Sequence, residues 1–277
     1  MDSAFLKSVQ TALDSIDAET LSYDESEFWI IKRPYEYIEE YAIEHELFNT
    51  AVALPLSRGL HNGTHRKSGF VRNGKQYRLP YVIHCLLVCR MLIDIRTGLS
   101  RDEEDIVLAS ALCHDMIEDL HFEDGGREIY TVYGLDPRVY ETVKKVSKRK
   151  DFTDEEHQAY FDRIQEDRLA LLVKLSDRGN NVEDLYNMTI WKTHEYIGET
   201  RKYFFPMCEY ALSHYEELYR VFDLLQDKIR VLTGVAEILV DRYTEMDSRL
   251  SAELETLRAE NAQLGERLKE LQKEAAC

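Results

Sequence analysis

Four ionisable side chains crowd into six residues of the stretch 108–120, LASALCHDMIEDL: His114, Asp115, Glu118 and Asp119. Read as one helix, the stretch sets His114 against Glu118 and Asp115 against Asp119 at i,i+4, so two carboxylates stack one turn beyond a His-Asp pair. Leu108, Ala111 and Leu112 give the same helix an apolar flank. That chemistry suits a divalent metal with its acid/base group. An acidic helix end carrying a solvated His has the same composition, so this segment alone leaves both readings open.

Two further stretches offer partners. The run LALLVKLSDRGNN, residues 169–181, ends an apolar helix on Asp177, with Arg178 beside it and Asn181 at i+4. Alone, it reads equally as helix capping or a buried ion pair. His84 opens the apolar helix YVIHCLLVCRMLIDI among Tyr81, Ile83, Leu87 and Val88, where a lone His is either a satisfied core residue or a ligand. Its neighbours Cys85 and Cys89 match no structural zinc spacing well. Taken together, His84, His114, Asp115 and Asp177 are two imidazoles and two carboxylates from three helices. Such a set suits Mn, Fe, Zn or another first-row divalent ion and leaves positions for water and a substrate oxygen.

The charge distribution points to an anionic ligand. The 277-residue chain carries a formal charge of -17, which disfavours nucleic-acid binding. Residues 1–46 hold 12 acidic and 3 basic side chains, yet residues 47–93 contain no Asp or Glu and seven Arg or Lys. Within that island Arg66 and Lys67 are the candidate phosphate contacts, against the alternative of a solvated basic loop. A second basic cluster, Lys144, Lys145, Lys148, Arg149 and Lys150, follows a helix expected within residues 128–150. It reads as a solvated face or, through Lys148 and Arg149, as a further phosphate contact.

Four blocks in order resemble a known family: R-K-S-G at 66–69, Y-x-I-H at 81–84, H-D-x-x-E-D at 114–119 and K-L-x-D-R-x-x-N at 174–181. This order is similar to the HD superfamily, and within it to the hydrolase domains of RelA/SpoT proteins and the small alarmone hydrolases, over about residues 58–210. The resemblance implies an all-helical fold and a Mn²⁺-dependent hydrolase that removes the 3′-pyrophosphate from guanosine tetra- or pentaphosphate. It also implies that His84, His114, Asp115 and Asp177 are the metal ligands. Glu118 and Asp119 would then be the catalytic pair, and Arg66, Lys67 and Asn181 substrate-binding residues. Three departures stand out: VRNGKQYRLP intervenes before Y-x-I-H, Ser176 replaces a common Ala, and Gly179-Asn180 replaces Leu-His near where a base or ribose is expected. Adenosine alarmones and NADPH therefore stay open as substrates, as does a non-catalytic sensing or scaffold role.

The elements that must position these residues are mainly helical. Only 12 Gly and 5 Pro occur, with 44% hydrophobic residues in long periodic stretches. The expected organisation is an all-α HD-type bundle over 58–215, a helical extension over 1–57 and a long C-terminal helix over 216–277. Residues 3–17 have the spacing of an amphipathic helix, and Pro34 is expected near the first turn of the next. Asn73-Gly74 between Phe70-Val71-Arg72 and Lys75-Gln76-Tyr77 predicts a type I′ hairpin inserted in the bundle. At the C-terminus, Leu250, Leu254, Leu257, Asn261, Leu264, Leu268 and Leu271 alternate by four and three, with Leu at d and one Asn at a. Residues 245–274 are thus expected to form a parallel homodimeric coiled coil. Five Cys without CxxC spacing, no apolar leader and no apolar run of spanning length predict a reduced, cytoplasmic chain off the membrane.

Overall fold

The computed structural model describes residues 25–66, 69–72, 75–120, 127–149 and 152–275. The helix expected over 3–17 lies outside them. The described chain is mainly helical, and none of its helices is long and apolar enough to cross a membrane. Helices α1 (Glu25–Glu44) and α2 (Phe48–Leu60) precede two short strands, β1 (Phe70–Arg72) and β2 (Lys75–Tyr77). The strands pair antiparallel with Arg72 opposite Lys75 and Phe70 opposite Tyr77. Asn73 and Gly74, the expected turn, lie outside the described residues.

Pro34 falls inside α1 rather than in its first turn. A mid-helix proline costs about 3 kcal/mol. Here Ile31, Ile38 and Ala42, at most 2% exposed, anchor the helix to the core on both sides of it, and burying such side chains at roughly 1.5–3 kcal/mol each offsets the kink.

The core is built on two nearly enclosed helices, α4 (Arg101–Cys113) and α9 (Arg168–Glu183). Residues 106–113 of α4 and Leu171, Leu172, Val173 and Leu175 of α9 are excluded from solvent. Around them pack α2, α3 (Val82–Ile95), α7 (Pro137–Val146), α8 (Asp154–Gln165) and α11 (Phe205–His214). Side-chain caps fix where these helices begin. Ser100 accepts from the Glu103 N–H, Thr153 and Glu156 form a reciprocal capping box, and Asp167 accepts from Leu169 and Ala170. Helix α2 has no cap of its own, because Leu47 stands at that position. Instead the buried Asp105 of α4 accepts from the backbone N–H groups of Asn49 and Thr50 and from both their side chains, at 2.7–2.9 Å. That carboxylate both starts α2 and fixes its angle on α4.

Two expected helices are each divided. The stretch 108–120 ends as α4 at Cys113, turns at His114 and Asp115, and resumes as α5 (Met116–Leu120). The helix expected within 128–150 is α6 (Arg127–Val132) followed by α7, parted by Gly134 at φ 69° and by Asp136, whose side chain caps α7 with Pro137 in its first turn. After α9, a 3-10 turn (Leu185–Asn187) leads to α10 (Ile190–Glu199), a π-helical turn (Thr200–Phe204) and α11. A single helix, α12 (Tyr219–Ala275), completes the chain.

Candidate metal centre

Three helix segments bring the four expected ligands together. His84 sits in the first turn of α3, His114 and Asp115 at the turn that ends α4, and Asp177 in the third turn of α9. The Nε2 atoms of His84 and His114 are 3.2 Å apart. Asp115 Oδ2 lies 3.0 Å from His114 Nε2 and 3.5 Å from His84 Nε2. Asp177 Oδ1 lies 3.1 Å from His84 Nε2 and 3.7 Å from His114 Nε2. His84, His114 and Asp115 form the tightest group, with one ligand atom each inside 4.8 Å, and Asp177 closes it from the α9 side.

The imidazole tautomers test whether a cation fits. His114 Nδ1 donates to the Ala111 carbonyl at 2.8 Å, an oxygen that can only accept. His84 Nδ1 meets Asn180 Oδ1 at 2.6 Å, and the Asn180 amide is oriented by its own donation to Glu183 Oε2 at 3.1 Å. Both Nδ1 atoms therefore carry the proton, and both Nε2 lone pairs aim at one point beside two carboxylates. Neutral imidazoles so placed repel one another unless a positive charge lies between them. Ligand atoms about 2.0–2.2 Å from a common ion sit roughly 3.0–3.5 Å from each other, which the His84, His114 and Asp115 spacings of 3.0–3.5 Å match, while Asp177 Oδ1 stands 3.7 Å from His114 Nε2. The N₂O₂ set fits a first-row divalent ion.

In the protein without an ion, a proton takes the place of that positive charge. Burial pulls His114 down, but the Asp115 and Asp177 carboxylates outweigh it and hold the imidazole well above its ordinary pKa. Burial likewise opposes ionisation of Asp177, and Lys174, 3.1 Å from its Oδ2, together with the two imidazoles holds it well below the carboxylate range. Asp115 is shifted down in the same way, against its burial, by His114 and His84. It also accepts from the Tyr81 hydroxyl at 2.6 Å. Asn181 donates to Asp177 Oδ1, so both oxygens of Asp177 are held by the protein, and Tyr81 holds the Asp115 oxygen that faces the imidazoles.

His84, Asp115 and Asp177 line a cavity of about 460 Å³. Glu118 lines it, held by the Lys148 backbone N–H at 2.6 Å. Burial, with Asp115 and Asp177 adding to it, pushes Glu118 up to about 7, while Lys174 and that N–H pull the other way. Arg66 also lines the cavity, 3.0 Å from Asn181 Oδ1 and 3.2 Å from Asp184. Lys148 and Arg178 enter from the far wall, both paired with Glu199. The Arg178 guanidinium lies 3.8 Å from the Phe204 ring centroid and 4.9 Å from that of Tyr196.

Of the residues expected to touch substrate, Arg66, Asn181 and Lys148 reach the cavity and Arg149 does not. Arg149 pairs with Glu156, 77% exposed, over the Phe152 ring. The two neighbours part just after α7, where residues 147–149 lie outside regular secondary structure. Lys67 and the side chain of Asp119 lie outside what the structure describes. Ser176 and Gly179-Asn180, expected near a base or ribose, are not among the cavity's described lining. Gly179 faces Met91 and Lys228, and Asn180 backs His84. Residues that sequence reasoning missed are Tyr81, Lys174, Asn180, Arg178 and Glu199. Lys174 and Arg178 carried a signal, standing three residues before and one after Asp177.

No protein-family model matches the chain, and no curated protein matches it.

Proposed function

We propose that the chain is a metal-dependent phosphohydrolase of the HD superfamily. More particularly, we propose a pyrophosphohydrolase that removes the 3′-pyrophosphate from guanosine 3′,5′-bis-diphosphate-type alarmones, with Mn²⁺ as the implied ion. The observation that carries the reading is the convergence of two locked Nε2 lone pairs and two carboxylates at the floor of a cation-rimmed cavity. A divalent ion bound there acidifies a water and neutralises phosphoryl charge.

The chain's own residues supply the rest. Arg66 and Lys148 line the cavity where the pyrophosphoryl group of such a substrate would lie, and their charges would neutralise its oxygens as water attacks phosphorus and the bond to the ribose 3′-oxygen, the leaving group, breaks. Glu118, with a pKa pushed up to about 7, is poised to accept a proton from an attacking water near neutral pH. Asp119 follows it in the same turn, and its part in returning a proton to the leaving group is assigned by resemblance alone. Arg178 stacked on Phe204 and Tyr196 gives a flat cationic wall for the nucleoside end. A scaffold or sensor has no use for a half-buried Glu118 lining the cavity, which favours the enzyme.

Pyrophosphate release from guanosine 3′,5′-bis-diphosphate is measured with Mn²⁺ and with chelator, for the unaltered chain and for Glu118→Gln. The expected result is metal-dependent release, reduced by about 10²–10⁴-fold in the variant with Mn²⁺ affinity retained. Loss of metal in Glu118→Gln would make Glu118 a ligand and refute its role as base. Equal turnover of guanosine, adenosine and nicotinamide substrates would remove the alarmone assignment and leave the hydrolase.

A further inference from the structure

Helix α12 serves two surfaces in turn. Phe222, Ile229, Ala236 and Val240 pack its first half on the bundle, each at most 8% exposed. From residue 241 to 274, every residue whose burial is described is exposed. That second half is about 50 Å long at the helical rise. It cannot fold back on its own domain without breaking a continuous helix. Its apolar residues nevertheless stay on one stripe: Leu250, Leu254, Leu257, Leu264, Leu268 and Leu271, each 48–67% exposed. A bare leucine stripe of this length is an unpartnered interface.

The stripe continues beyond the expected start at residue 245. Leu239, Tyr243 and Met246 precede Leu250 at spacings of four, three and four, all 38–52% exposed. The further step of four to Leu254 is a stutter, one insertion of four residues that locally unwinds a left-handed supercoil. Upstream of it, Leu239, Tyr243 and Val235 form one side of an apolar groove of about 180 Å³. Leu185 and Met188, on the segment between α9 and α10, and Ile190, the first residue of α10, form the other. Met188 also lines the metal cavity.

We propose that the partner on this surface is a second copy of the chain, parallel and in register, and that its α12 contacts both the leucine stripe and this groove. The pattern is self-complementary. With Asn261 at a, the Glu253 at g faces the partner's Arg258 at e, twice by symmetry. The next two e positions are Gly265 and Gln272, so no like charges oppose each other. Asn261 meets the partner's Asn261, a pairing that the antiparallel arrangement would break and leave opposite leucine. The dimer seam thus runs from the metal cavity's outer wall to the end of the helix.

The test uses the full chain and is independent of any activity, so its outcome and that of the phosphohydrolase reading are separable. Sedimentation equilibrium at micromolar concentration is expected to give twice the 32.5 kDa chain mass, and the single mass with Leu257→Glu and Leu264→Glu combined. A wild-type monomer at 100-fold higher concentration, on the order of 0.1 mM, overturns the proposal. In a Cys277→Ser background, Asn261→Cys is expected to oxidise to a covalent dimer, since a-position backbones face each other closely enough for a disulfide. No cross-link would mean antiparallel pairing and overturn the parallel register. Leu239→Asp and Tyr243→Asp, outside the 250–271 leucines, are each expected to raise the dimer dissociation constant by about tenfold or more. Unchanged constants in both would exclude the groove from the interface.

Discussion

Replacing Asn180 with leucine tests the metal centre without touching a ligand. Asn180 Oδ1 accepts the His84 Nδ1 proton at 2.6 Å, with the two residues 6% and 2% exposed, so no water stands ready to replace the acceptor. Leucine keeps the branching at Cγ, is somewhat larger, and carries no acceptor. Leaving a buried N–H without a partner costs about 1–3 kcal/mol. The imidazole escapes that cost only by moving its proton to Nε2, where it points at His114 Nε2, 3.2 Å away, and occupies the position a cation needs. Either route is charged against metal binding. The expected loss is about 10–100-fold in Mn²⁺ affinity, on the order of 1.4–2.8 kcal/mol, the range found for outer-shell partners of ligating histidines. Isothermal titration of the full chain with Mn²⁺ measures it, with far-UV circular dichroism and thermal unfolding as controls on the fold. A well-folded Asn180→Leu that binds Mn²⁺ within about twofold of the unaltered chain would refute the tautomer argument.

Two further expectations concern stability. Asp105→Ala removes the carboxylate that receives four hydrogen bonds from Asn49 and Thr50, and strips α2 of its cap; a loss of about 3 kcal/mol or more is expected by urea unfolding, and less than about 1 kcal/mol would contradict the capping role. Glu199 is opposed by its burial but held down to about 2, from an ordinary 4.5, by Arg178 and Lys148. The folded chain therefore binds fewer protons there than the unfolded one. The resulting stability, about 2–3 kcal/mol, is complete above about pH 4.5 and fades as pH falls toward 2. Glu199→Gln should flatten that acid limb of the unfolding curve, and an unchanged slope would show that the pairing adds nothing.

What the sequence made legible was the set of side chains with unusual chemistry; what it hid was direction. The periodicity of 81–95 and 169–181 carries straight into α3 and α9, because apolar repeats bury themselves wherever the chain packs. His84 was ambiguous because a lone imidazole on an apolar helix looks the same whether it meets a carbonyl or another imidazole. Only the crossing of α3 and α9 brings Asn180 and Asp177 to it. The break after Cys113 was not visible in LASALCHDMIEDL, where no Gly or Pro marks it. His114 turns its Nδ1 back onto the Ala111 carbonyl, an oxygen within the last turn of α4, and side chain and backbone compete for the same helix end. The split between Lys148 and Arg149 was hidden for a simpler reason. A run of basic residues states a net charge and not which of two neighbours faces inward.

The charge of the centre gives these details a common cause. Asp177 is buried and Asp115 half-buried beside it, with Glu118 nearby, and the described fixed cation nearest them is Lys174, 3.1 Å from Asp177. Two carboxylates against one ammonium leave a buried deficit of positive charge. In the protein alone it is met by a proton, since the same carboxylates raise His114 against its burial. A buried ionised group is tolerated only when paired, so a divalent ion that displaces this proton relieves the whole set at once. The outer contacts keep the donor atoms aimed for that exchange: Tyr81 on Asp115, Asn181 on Asp177, Ala111 on His114 and Asn180 on His84. The last of them is also tied to the long helix, for Glu183, which orients the Asn180 amide, is paired with Lys228 of α12. The helix that presents the leucine stripe is therefore rooted, through three side chains, in the shell that orients His84.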